Sequence, residues 1–85
     1  MLFKARRSEK FKRMFIDLTK KDTPLKLRMR KKMEQILENP ENHDMKTGNL
    51  RGCYGVHVNP YVIIYRIDGD VVEFLLVDHH DNIYK

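Results

Sequence analysis

With 85 residues, the chain has enough length for one small hydrophobic core, which excludes a multi-domain machine and makes residues 1–85 a single domain. Hydrophobic residues make up 41% and charged residues 34%, so the chain is apolar enough to fold and carries a densely charged surface. The net charge of +5 is unevenly spread: residues 1–32 hold 13 Lys and Arg against 3 acids, and residues 33–85 hold 4 against 9, a basic first part of the kind that attracts nucleic-acid phosphate or an acidic partner, or else only solvent.

No apolar run approaches the roughly 18 residues of a membrane span, and Met1 to Arg7 lacks the apolar core of a signal peptide. A cytoplasmic protein with no membrane contact is expected. Its one cysteine, Cys53, forms no internal disulfide, so packing alone holds the fold.

Leu2 to Arg6 reads as a short edge strand, followed by Ser8 as the N-cap of a helix. Phe11, Met14, Phe15 and Leu18 recur at i, i+3, i+4 and i+7, which predicts a helix to about Lys20 with one apolar stripe. Asp22-Thr23-Pro24 starts a second helix, with Thr23 as N-cap and Pro24 in the first helical position. Leu25, Met29, Met33, Ile36 and Leu37 form its stripe, and it ends near Asn39-Pro40 because proline disfavours helical geometry in the residue before it. The stripes bring the two helices together as a hairpin, with Lys10, Lys12, Arg13, Lys26, Arg30 and Lys31 outside. A polar stretch, Asn39 to Asn49, follows as a linker.

From Gly48 onward β-branched and aromatic residues alternate with turn formers. Three strands are predicted at about Leu50–Val58, Tyr61–Ile67 and Val71–Asp78, with breaks at Asn59-Pro60 and Asp68-Gly69. Period two puts Tyr54, Val56 and Val58 on one face and Arg51, Cys53, Gly55 and His57 on the other. On the next strand Tyr61, Ile63 and Tyr65 alternate with Val62, Ile64 and Arg66, and both sets are too apolar to say which faces water. The fold class is α+β: a short N-terminal strand and a two-helix hairpin packed on one face of a small, mainly antiparallel sheet with three C-terminal strands.

Leu50-Arg51-Gly52-Cys53-Tyr54, Tyr61-Val62-Ile63-Ile64-Tyr65-Arg66-Ile67, and a last strand ending in His79-His80 with Tyr84 four residues beyond resemble the RelE/ParE toxin superfamily over nearly the whole chain. The resemblance implies an antitoxin partner and one of two activities. RelE-type members are ribonucleases that cut messenger RNA, often on the ribosome, and ParE-type members are non-enzymatic inhibitors of DNA gyrase. Gly48-Asn49-Leu50-Arg51-Gly52, His57-Val58-Asn59-Pro60 and the His80 to Tyr84 spacing look most like the YafQ-like branch. Its strand histidine corresponds to His57, its C-terminal histidine to His80, and its turn aromatic to Tyr61. The aspartate that precedes that aromatic is missing here, and His43-Asp44 reverses an upstream Asp-His pair. Of the RelE branch's own set only Tyr84 is kept: Gly55 and His57 replace two lysines, and Val62 and His80 two arginines. A degenerate, non-toxic antitoxin-binding homologue is the third possibility.

Cutting RNA through its 2′-hydroxyl needs a base, an acid and positive charge at the phosphate. Histidine serves the first two because its reference pKa lies near 6.5, and no metal or other cofactor is needed. The expected catalytic set is His80 and His57 as acid and base, Arg51 or Arg66 at the phosphate, and Tyr84. Tyr61, Lys10, Arg13 and Lys31 are expected to bind the messenger RNA by stacking and charge. Asp78-His79-His80-Asp81 with His43 and His57 lacks the usual spacing of zinc ligands.

Overall fold

The computed structural model describes residues 2–45 and 52–83. In chain order its elements are β1 (Lys4–Arg7), α1 (Glu9–Thr19), α2 (Thr23–Glu38), β2 (Asp44–Met45), β3 (Tyr54–Val58), β4 (Tyr61–Asp68), β5 (Val71–His79) and a single-turn helix, α3 (His80–Ile83). The sheet has five strands in the order β1-β5-β4-β3-β2. Only β1 and β5 pair in parallel; the other neighbours are antiparallel.

Ser8 caps α1 as expected, its Oγ accepting from Phe11 N at 3.0 Å. The same hydroxyl donates to Leu75 O at 2.7 Å, and Ser8 N donates to Phe74 O at 3.0 Å. One residue thus ends β1, starts α1 and ties both to β5. The second cap differs from expectation. Asp22, not Thr23, is the N-cap of α2, its carboxylate accepting from Leu25 N at 3.1 Å. Pro24 therefore sits one position later, still within the first turn, where its missing N–H is harmless.

Phe11 of α1 and Leu25, Met29 and Ile36 of α2 meet Val56, Val58, Ile63, Tyr65, Val72, Phe74 and Val77 of the sheet to form the core. Ile63 and Tyr65 are thereby assigned to the helix-covered face. Val62 and Ile64, on the opposite face, are also fully buried, which is why the sequence pattern of β4 shows no polar side. At the centre Tyr65 donates its hydroxyl to Pro40 O at 2.7 Å. Its ring stacks on Tyr54, centroids 5.3 Å apart. Burial, then the neighbouring Tyr54, push the Tyr65 phenol well above its ordinary pKa.

Five strand details differ from expectation, the first being β1, which spans Lys4–Arg7 rather than Leu2 to Arg6. The stretch Asn39 to Asn49 holds a two-residue strand, β2, paired with Tyr54 and Gly55; two residues are too few to show an alternation. Gly52 and Cys53 precede β3 rather than belong to it, and Leu50 and Arg51 lie outside the described residues. Asp68 pairs with Val71, so the β4–β5 loop is Gly69-Asp70, with Gly69 at φ +63° in the place a type II′ turn reserves for glycine. Finally, β5 runs one residue past Asp78 and carries a bulge: Tyr65 pairs with Phe74 and Ile64 with Leu76, leaving Leu75 as the extra residue.

Candidate active site

His57 is exposed near the C-terminal end of β3 and pairs with Val62 of β4, which pairs with Asp78 of β5. Residues directly opposite in a ladder share a face, so this rung lies on the side the helices do not cover. His80 reaches the same side by a different route. Its backbone N–H donates to Pro60 O at 2.9 Å, which pins the start of α3 to the β3–β4 turn. The imidazoles of His57 and His80 then lie 5.9 Å apart, tilted by 30°.

His79, one residue earlier, points to the other face, edge-on to Tyr61 at 6.0 Å. Of the two adjacent histidines, His80 at the start of α3 is the one whose ring approaches His57. Asp81 sits between them, Oδ1 at 3.5 Å from His80 Nδ1 and Oδ2 at 3.7 Å from His79 Nδ1. Its backbone N–H donates to His79 Nδ1 at 3.1 Å. Asp78 Oδ1 accepts from His79 N at 2.7 Å and from Asn82 Nδ2 at 3.1 Å, which closes the turn of α3.

The remaining expected site residues separate into groups. Tyr61 is half-buried against the core, on the face opposite His57. Arg66 shares the face of His57 but stands four residues beyond Val62, roughly 13 Å along the strand. Its Nε is 2.6 Å from Glu73, which Arg6 also approaches at 3.4 Å. Lys10 and Arg13 are exposed on α1, the helix that packs on β5 rather than β3. Arg51 and Tyr84 lie outside the described residues.

Lys31 lines a hollow of about 370 Å³ where α2 passes the edge of β3, together with Arg28, Lys32, Gln35, His57, Val58 and Asn59. Arg28 donates to Asn59 O at 2.9 Å, joining α2 to the β3–β4 turn. Arg28, Lys32 and Gln35 are not among the site residues expected from the sequence. Their signal was present: 28, 31, 32 and 35 repeat at i, i+3, i+4 and i+7, the spacing of one helix face. His43, between this helix and Tyr65, is held below its ordinary pKa, first by burial and then by Lys32, with Asp44 opposing.

Two imidazoles at this separation suit paired proton transfer. Each can reach an oxygen on one phosphorus within the roughly 2.6–3.2 Å that a general acid or base requires. The cations of the hollow supply positive potential beside them, where an anion would collect.

Residues 3–84 match a family model described as the ParE toxin of the type II toxin–antitoxin system parDE. A Methanocaldococcus jannaschii protein carrying the name toxin RelE4 is 35% identical over 71 residues, covering 80% of this chain and 76% of that protein. Among solved structures, the RelBE2 toxin–antitoxin complex of Mycobacterium tuberculosis contains a chain that superposes with a TM-score of 0.75 at 21% identity, covering 94% of this chain and 100% of that one. YafQ of Escherichia coli superposes at 0.74 with 14% identity, covering 98% and 99%. At such identities the structural likenesses establish the fold alone.

Proposed function

The chain belongs to the ParE toxin family of type II toxin–antitoxin systems, within the RelE/ParE superfamily, and we propose that it is an endoribonuclease that cuts messenger RNA in the cytoplasm, on the ribosome. The observation that carries this reading is the His57–His80 pair, 5.9 Å apart on the face of the sheet opposite α1 and α2 and bordering a cation-lined hollow.

In the proposed reaction one imidazole takes the proton of the 2′-hydroxyl. The 2′-oxygen attacks phosphorus, the bond to the 5′-oxygen breaks, and the other imidazole, protonated, gives that oxygen its proton. The products are a 2′,3′-cyclic phosphate and a 5′-hydroxyl, and no oxidant, metal or other cofactor enters the balance. Arg51 and Tyr84 complete the set in this reading. Arg66, held by Glu73, contributes charge to the same face from a distance.

The antitoxin partner follows from the family and from the known RelBE2 complex. A groove of about 380 Å³ between α1 and α2 has Arg7, Lys12, Lys20, Lys26 and Arg30 on its rim and Phe11 at its floor. It suits an amphipathic acidic segment of such a partner, by complementary charge.

The test uses antitoxin-free protein with programmed 70S ribosomes and end-labelled messenger RNA, beside naked RNA and a His80→Ala control. Cleavage by the wild type, lost by two or more orders of magnitude in the variant, with a 2′,3′-cyclic phosphate end, is the expected result. Cleavage undiminished in His80→Ala removes histidine catalysis. The ParE description of the family favours a second reading, non-enzymatic inhibition of gyrase. It gains if neither RNA substrate is cut and supercoiling by gyrase stops, while inactivity in both assays marks a non-toxic homologue.

A further inference from the structure

The hollow at the α2–β3 edge differs from ordinary basic surface in three ways. Its cations come from one helical row, Arg28, Lys31 and Lys32, with Gln35 one turn further along, and no carboxylate lines it among the described residues. Arg28 is fixed in place by its bond to Asn59 O at 2.9 Å, so part of the positive charge is preorganised. The hollow also shares His57 with the imidazole pair. Its volume of about 370 Å³ is near the lower end of the roughly 300–1,000 Å³ range of ligand sites, the size of one nucleotide and not of an oligonucleotide.

Resting on the ribonuclease reading, we propose that this hollow is a nucleotide subsite, which takes the nucleotide next to the scissile phosphate. The phosphate of that nucleotide sits on Lys31 and Lys32, and its base lies against the exposed turn at Asn59 with its edge toward Gln35. An amide offers both a donor and an acceptor, so Gln35 is the residue able to tell one base from another. Lys10 and Arg13, on the other helix, supply general attraction without this geometry.

The test is an NMR titration of the full ¹⁵N-labelled chain with the four nucleoside 3′,5′-bisphosphates, with inorganic phosphate and a hexaglutamate peptide as comparison ligands. Expected are amide shifts concentrated at residues 28–35 and 57–59, and binding weakened by about tenfold or more in a Lys31→Ala/Lys32→Ala variant, as loss of two charge-assisted phosphate contacts implies. Gln35→Ala is expected to flatten the preference among the four bases. Shifts spread over Lys10, Lys12 and Lys20 instead, or affinity unaffected by the double variant, overturn the subsite. Hexaglutamate binding as tightly as the bisphosphates reassigns the hollow to an acidic protein segment. Binding requires no turnover, so localised shifts in a chain that cuts no RNA sink the catalytic reading and keep the subsite. RNA cleavage whose KM ignores Lys31 and Lys32 does the reverse.

Discussion

Tyr65 shows how much one side chain carries. Its hydroxyl satisfies the carbonyl of Pro40, and its ring lies between Tyr54, Phe74 and the edge of His43. Tyr65→Phe keeps the ring and leaves the carbonyl without its donor, for an expected loss of about 1–3 kcal/mol in denaturant unfolding. Stability measured against pH should fall at both ends. The raised Tyr65 phenol favours the neutral folded form, so its contribution is intact below its ordinary pKa near 10 and is lost as pH rises beyond it. Tyr65→Phe should blunt that alkaline limb. The lowered His43 imidazole works in the opposite direction: its contribution is present above about 6.5 and is lost as pH falls through its folded value. His43→Gln should flatten the acid limb. An alkaline limb unchanged by Tyr65→Phe refutes the assignment to this phenol.

Among the elements, the two helices were legible because three or four turns of apolar stripe repeat a signal that chance does not imitate. Caps are single residues and leave a weaker signal: Ser8 caps α1 as its sequence predicts, while Asp22 rather than Thr23 caps α2, both being good caps one position apart. The energetic consequence separates them. Asp22→Ala removes a cap alone and should lower stability by about 1 kcal/mol. Ser8→Ala removes a cap and the bond to Leu75 O, and should lower it by about 2 kcal/mol, with a correspondingly larger fall in Tm. Equal effects would mean that the link to β5 contributes nothing. The β2 strand and the β5 bulge were illegible for a different reason: pairing between distant segments defines both, and neither leaves a period in its own sequence. The same limit applied to the site. The resemblance points to His57 and His80, whereas the row formed by Arg28, Lys31, Lys32 and Gln35 has a helical spacing in the sequence and nothing there that places it beside His57.

At the scale of the whole molecule, charge and architecture divide together. The basic helices cover one face of the sheet, and the histidine pair sits on the other, near the end where β3, β4 and α3 meet. The α2 helix links the two faces because its cationic row reaches the β3 edge and His57. The unpaired position of β5 has a further consequence, for chain length. Val72 and Phe74 face the helices before Leu75, and Val77 does so after it, so the extra residue is what keeps two odd-spaced segments in phase. Deleting Leu75 closes the ladder without exchanging His79 for His80, since Leu76 to His79 already pair as a regular strand would. Its cost falls on the carbonyl that Ser8 holds. A Leu75-deleted chain should therefore keep the ring proximity of His57 and His80, observable as an NMR contact, while losing Tm on the order of the Ser8→Ala variant. This strand can change by one residue in length without re-addressing the histidines, and insertions or deletions elsewhere along β5 have no such freedom.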